Sequence, residues 1–237
     1  MIHSYSYDSV QDYYKDCLKP KTSHHNSSRT NDRRFTYSDS FEHTQERYTK
    51  GYPEGTEKSL ALLLQLTPFL RTAPGIKKAW RPQRYAGGNF LLDNYVRGYP
   101  DICNVMTPVV SKKFCSIILN NTASCGIDTA IMEARGVAII SLVTILEQNG
   151  YRVSVKVAYG ETGRNSTVLY TIINLKAFNQ TMEIDRLAFF LADPSAFRRL
   201  YFSWMEGLAE PIPADILDRS YGMPTDLPSS MIGKDDL

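Results

Sequence analysis

The 237-residue chain carries 27 Lys and Arg against 25 Asp and Glu, a formal charge of +2, with 43% hydrophobic and 22% charged residues. That balance belongs to packed globular chains and excludes disordered, fibrous and uniformly polyanion-binding classes, so any nucleic-acid footprint must be local. The length admits one large or two small cores, and one core with irregular extensions is the expectation.

Residues 1–40, rich in Ser, Tyr, Asp, Asn and His, show no sustained apolar period and read as an irregular, partly ordered N-terminal arm. Within it, Val10, Tyr13, Tyr14 and Cys17 are spaced to share one face of a short helix over 9–18. Residues 37–50 read as a polar helix closed by Gly51 and Pro53. Leu60, Leu62, Leu63, Leu64 and Leu66 then form a core helix that Pro68 and Pro74 punctuate.

The strongest pattern lies at the centre. A short apolar strand, 114–119, is followed by a polar turn, 120–126, and then by a run from Thr129 to Asn149 that is apolar almost all round. A helix of that kind is expected to be buried; Asp128 or Thr129 caps its start and Asn149-Gly150 stops it. Residues 151–157 alternate as a second strand, and a third, 168–175, follows a turn rich in Gly, Asn and Ser. Strand, helical crossover and strand predict parallel neighbours. The expected fold is α/β: a three-layer, mostly parallel sheet with a buried crossover helix, von Willebrand A-like or Rossmann-like. A helix over 184–208, broken or kinked at Pro194, completes a single α/β domain at 41–210, and a Pro-rich C-terminal tail occupies 211–237.

Residues 1–8 lack the basic start and apolar run of a secretory signal, and no stretch reaches about 18 uninterrupted apolar residues, so a cytoplasmic protein without a membrane segment is expected. Cys17, Cys103, Cys115 and Cys125 show no C-x-x-C pair and read as free thiols, mostly buried. Without export, the sequons at Asn26, Asn121, Asn165 and Asn179 are chance matches.

Two segments carry candidate chemistry. From Arg71 to Lys113, eight basic residues face only Asp93 and Asp101, a local charge of +6 that leaves about −4 for the remainder. Arg71, Lys77, Lys78, Trp80, Arg81, Arg84 and Tyr85 interleave cations with aromatic rings, the composition of a surface that contacts phosphates and stacks bases of single-stranded nucleic acid. A solvated loop with Trp80 plugging the core is the alternative.

The second segment is the turn Asn120-Asn121-Thr122-Ala123-Ser124, past the end of a strand and before a helix, where open α/β sheets bind ligands. Asn120, Thr122 and Ser124 resemble the D-x-S-x-S metal motif of von Willebrand factor A domains, with Asp128 close by in sequence. Asn in place of the leading Asp removes the anionic oxygen a hard divalent cation wants. A turn whose hydroxyls and amides serve the exposed helix N–H groups is the alternative.

No catalytic residue is assigned. His3, His24, His25 and His43 all fall in the first 43 residues, outside the expected α/β core, and no P-loop, G-x-G-x-x-G or H-E-x-x-H occurs. Beyond that divalent cation no cofactor is expected.

Gly51-Tyr52-Pro53-Glu54-Gly55, Trp80, Ala86-Gly87-Gly88, Gly98-Tyr99-Pro100, Ala134-Arg135-Gly136-Val137-Ala138, residues 146–153, residues 185–189, Pro194 with Arg198-Arg199-Leu200, and Tyr221-Gly222-Met223-Pro224 follow one another in order. As a set over about residues 40–225 they resemble a family of uncharacterised bacteriophage and mobile-element proteins, a domain of unknown function. The resemblance implies a phage or plasmid setting in a bacterial cytoplasm and no assigned activity. The expected function is a phage-encoded, non-enzymatic binding protein whose partner is single-stranded nucleic acid or a host or phage protein. A metal-dependent ligand binder or enzyme using residues 120–124, and a structural or assembly protein, are the other two classes.

Overall fold

The computed structural model describes residues 2–21, 25–66, 78–83, 89–108, 113–163, 167–208, 216, 221 and 223–228, with backbone alone at 78–83 and 105–108. The chain divides into two compact units, Met1–Thr67 with Phe114–Leu237, and Pro68–Lys113.

The larger unit is built on a sheet in the order β1 (Ile2–Tyr7), β7 (Val168–Lys176), β6 (Tyr151–Thr162), β5 (Lys113–Asn120), with β8 (Met223–Pro224) also pairing with β6. Cys115 and Ile117 of β5, Val153, Val155, Val157 and Tyr159 of β6, and Leu169 and Ile173 of β7 alternate with more polar positions and join one hydrophobic core. Across β5 and β6, Ser116 bonds Ser154 (2.7 Å), the Asn121 N–H donates to the Ala158 carbonyl (2.8 Å), and the Gly160 N–H donates to Thr122 Oγ1 (2.7 Å). These contacts advance together along both strands, so β5 and β6 run the same way. The sheet as a whole is mixed, not mostly parallel: β1 is parallel to β7, but β6 is antiparallel to β7 and to β8. Only residues 163–167 separate β6 from β7, too short a connection for the crossover that parallel strands need.

The crossover helix α6 (Thr129–Gln148) starts where Asp128 accepts the Ala130 N–H (2.9 Å) and stops at Gly150, whose φ is +82°. It is long and apolar enough to cross a membrane by length and composition. Met132, Gly136, Val137, Ile140 and Val143 are buried, yet Ile131 is 60% and Leu142 43% exposed. Apolar residues all round thus do not bury this helix all round. The described helices share one core with a single face of the sheet, giving two layers where three were expected. The outer side of α6 has no layer above it among the described residues.

The other helices follow their local sequence signals. Val10, Tyr13 and Cys17 are the buried face of α1 (Val10–Cys17), capped by Ser9. Two short pieces follow: a single 3-10 turn at Ser27–Arg29, and α2 (Arg33–Thr36), capped by Asp32. Next comes α3 (Phe41–Lys50), capped by Ser40 and ended by Gly51 at φ +90°. Pro53 does not close that helix alone but opens the next, α4 (Pro53–Leu66), because a first-turn proline gives up no helical hydrogen bond. Pro194 does end α7 (Ile184–Ala192), after which a π-helical turn (Ala196–Tyr201) leads into α8 (Phe202–Glu206). All four cysteines are free, and Cys17, Cys103 and Cys115 are buried.

The first forty residues are part of this unit and not a separate arm. Residues 2–7 alternate in exposure and add the edge strand β1, which brings His3 onto the sheet. Their fold-back is anchored by two buried groups. Arg199, in the π-helical turn, donates to Ser38 Oγ (2.5 Å), Thr36 Oγ1 (3.1 Å) and the carbonyls of Ser38 (2.9 Å) and Ser28 (3.1 Å). Glu206 accepts from the Ser28 N–H (2.9 Å), Ser28 Oγ (2.5 Å), Tyr221 OH (2.5 Å) and the Lys21 ammonium (2.5 Å). A buried guanidinium or carboxylate is tolerable only when its hydrogen-bonding capacity is met in this way.

Glu161, in phase with Tyr159 on β6, is also buried, and burial pushes its carboxyl well above the ordinary carboxylate range. The folded chain therefore holds that proton more tightly than the unfolded chain. Its contribution to stability is complete below the ordinary Glu pKa and is lost as pH rises through the raised folded value. Glu161→Gln should accordingly flatten the fall in unfolding free energy between acidic and neutral pH. Urea titrations at several pH values check this, and an unchanged profile would contradict it.

Candidate nucleic-acid interface and the turn after β5

The smaller unit holds a three-stranded antiparallel sheet in the order β2 (Lys78–Gln83), β4 (Cys103–Pro108), β3 (Asn89–Phe90), with α5 (Leu92–Val96) between β3 and β4. Pro82 has no N–H to give a ladder, and β2 is an edge strand where that is tolerated. The α5 turn closes at Gly98, whose φ is +71°, and Asn94 Nδ2 donates to the Asp101 carbonyl (2.8 Å).

Of the predicted contact residues, Lys78, Trp80 and Arg81 lie on β2, opposite Pro108, Met106 and Val105 of β4. Successive strand residues face opposite ways, so Lys78 and Trp80 share one register phase and Arg81 takes the other. Arg71, Lys77, Arg84 and Tyr85 lie outside the described residues. The structure adds residues that composition did not single out. Phe90 is 54% exposed, Tyr95 61% and Tyr99 54%, and the Phe90 and Tyr95 rings lie 5.6 Å apart. Arg97, beside them in sequence, makes no ion pair among the described residues. Solvent-facing rings with a cation beside them in sequence are the kind of groups on which bases stack and phosphates rest. Their recurrence every four or five residues within the basic stretch was the available signal.

The charge boundary and the structural boundary coincide. Pro68–Lys113 contains eight Lys or Arg and two Asp, a charge of +6. The remaining residues of a chain that totals +2 therefore carry −4.

Past β5, the turn is spent largely on its own backbone. Asn120 Nδ2 donates to the Thr225 carbonyl (2.8 Å) and its Oδ1 accepts the Thr122 N–H (3.3 Å). Thr122 Oγ1 accepts the Gly160 N–H, and Asp128 Oδ1 caps α6. No hydrogen bond of the Ser124 side chain occurs among the described residues; its carbonyl accepts from Arg198 (3.3 Å). Three of the four residues proposed for a cation thus already accept an N–H through a side-chain oxygen. Among the described residues no group of three or more His, Cys, Asp or Glu converges.

An open cleft of about 730 Å³ does lie beside this turn, between residues 32–37 and 125–129. Arg198 forms its seam, donating to the carbonyls of Phe35 (2.8 Å) and Ile127 (2.7 Å) with its guanidinium 4.6 Å from the Phe35 ring centre. Arg33, Arg34 and Arg198 line the cleft with Asp32 and Asp128, and Asp39 pairs with Arg33 at 2.5 Å. Three cations against three carboxylates leave no net field to gather an anion. The excess positive charge of the molecule sits in the smaller unit.

The molecule is thus an α/β protein with a mixed sheet, helices on one face and a separate, strongly basic and aromatic unit. It belongs to the family described as Domain of unknown function (DUF7192), whose model matches residues 2–236. No curated protein and no solved structure matches the chain.

Proposed function

We propose that the protein is a non-enzymatic binding protein for single-stranded nucleic acid, with the smaller unit as its contact surface. The coincidence of the +6 charge with one compact unit carries this reading, supported by the solvent-facing rings of Phe90, Tyr95 and Tyr99. Cations supply affinity through the phosphates, and rings supply sequence-tolerant stacking that paired bases do not offer. Lys78, Trp80 and Arg81 on β2, with Arg71, Lys77, Arg84 and Tyr85 flanking it, are the assigned contacts. Fluorescence anisotropy with single- and double-stranded oligonucleotides of one sequence tests it. Salt-sensitive binding that favours the single strand is expected, and no binding at low salt would overturn it.

A bacteriophage or mobile-element setting in a bacterial cytoplasm is part of the proposal. It rests on the ordered resemblance over residues 40–225 and on four free thiols, which suit a reducing compartment. A relation to von Willebrand A or Rossmann folds is proposed for the β5–α6–β6 crossover alone, which has the strand–helix–strand order of those folds.

A protein partner, from host or phage, is favoured by a different observation. Leu60 and Leu64 of α4 and Ile131 and Leu142 of α6 are large exposed apolar side chains on two helices that pack together. Large apolar side chains left exposed on paired helices favour a binding surface. Leu64→Glu with Ile131→Glu should abolish capture of such a partner without lowering oligonucleotide affinity, and a variant that still captures it would dismiss this second reading.

A further inference from the structure

We propose that the smaller unit also binds, peripherally, the surface of an anionic lipid bilayer, with the segment from β3 through α5 as the part that enters it. Within ten residues, 90–99, five large apolar side chains face solvent: Phe90 is 54% exposed, Leu92 63%, Tyr95 61%, Val96 75% and Tyr99 54%. None of the five residues of α5 is buried. Single exposed leucines or valines are ordinary on a protein surface, but this density within one segment marks an interaction surface.

The spacing gives the cluster a direction. Leu92, Tyr95 and Val96 stand at i, i+3 and i+4 and so share one face of α5, and the Phe90 ring lies 5.6 Å from that of Tyr95. Asp93, Asn94 and Arg97 fall on the rest of the turn. Asn94 fastens it, its side chain donating to the Asp101 carbonyl (2.8 Å) and its own carbonyl accepting the Tyr99 N–H (2.9 Å).

Two of the five side chains distinguish one anionic partner from another. Nucleic acid accounts for the rings, but Leu92 and Val96, the most exposed of the five, offer neither a ring for a base nor a donor for a phosphate. Aliphatic side chains gain by leaving water for acyl chains, and Phe and Tyr rings suit headgroup depth. Charge supplies the second signal that stable peripheral binding requires: Pro68–Lys113 carries +6, complementary to anionic headgroups. In the order β2-β4-β3 the apolar segment continues from one edge of the sheet, while Lys78, Trp80 and Arg81 lie on the other. The membrane and nucleic-acid readings share the charge and the rings and differ at Leu92 and Val96.

Cosedimentation of the full chain, free of nucleic acid, with vesicles of phosphatidylcholine containing about 30% phosphatidylserine tests it, beside vesicles of phosphatidylcholine alone. Salt-sensitive binding to the anionic vesicles is expected, at least about tenfold tighter than to the neutral ones. Leu92→Gln with Val96→Gln should weaken it at least about tenfold and leave single-strand affinity and the melting temperature unchanged, since both side chains already face solvent. No binding to anionic vesicles at low salt, equal binding to neutral ones, or a double variant with unchanged vesicle affinity would overturn the proposal. A double variant that loses oligonucleotide affinity instead would also overturn it, assigning the patch to the nucleic-acid surface. Vesicles and oligonucleotides are titrated separately, so failure of one reading is distinguishable from failure of the other.

Discussion

Replacing Lys77, Lys78, Arg81 and Arg84 together by Ala should lower affinity for single-stranded nucleic acid by about two orders of magnitude at low salt, with the melting temperature unchanged. The slope separates this outcome from a general loss of binding. Each phosphate contact on a single strand releases counterions and contributes about −0.7 to the dependence of log K on log salt, so removing four contacts should flatten it by about 3. Trp80→Ala acts on the other term: it should cost about 1–3 kcal/mol of stacking and leave the slope where it was. Anisotropy titrations across a salt series check both. A quadruple variant with the wild-type slope would place the contacts elsewhere, because the charge removed is most of the +6 carried by Pro68–Lys113.

Gly136→Ala should cost about 3 kcal/mol or more, which for a chain of this size lowers the melting temperature by roughly 6–12 °C. A methyl group at this position would stand 2.1 Å from the Leu191 carbonyl oxygen and 2.5 Å from the Ala192 Cα. Ordinary carbon contacts lie near 3.5–4.0 Å, so α6 and α7 would have to separate by an ångström or more. They have little freedom to do so, since Ile140, Val143, Phe189 and Phe190 on the two helices are fully buried. Thermal unfolding followed by circular dichroism checks the shift, and a loss of less than about 2 °C would mean the helices give way cheaply.

Local periodicity made several elements legible. Val10, Tyr13 and Cys17 at helical spacing became the buried face of α1, and Asp128 with Asn149-Gly150 bounded α6 to within a residue. The neighbouring of β5 and β6 followed from the length of the crossover between them. Other features depended on partners distant in sequence. The alternation of Ile2, Ser4 and Ser6 with His3, Tyr5 and Tyr7 is visible in the chain, but it marks a strand only because Val168–Ile173 lies alongside. Arg198 and Arg199 resemble any surface pair until the carbonyls of Ser28, Phe35 and Ser38 fold back to meet them. The basic stretch was legible as charge. The outward placement of Phe90, Tyr95 and Tyr99 was not, since hydrophobicity predicts burial and these rings are exposed.

The amino-acid order by itself determined the helix stops, the strand periods and the segregation of positive charge into residues 71–113, because propensity, capping and formal charge act within a few residues of their origin. Tertiary structure alone decided that helices cover one face of the sheet and that the first forty residues complete the core. The fold-back of the first forty residues is set by pairing between segments more than a hundred residues apart, whose energy depends on the shape of the partner surface and leaves no local mark on the chain.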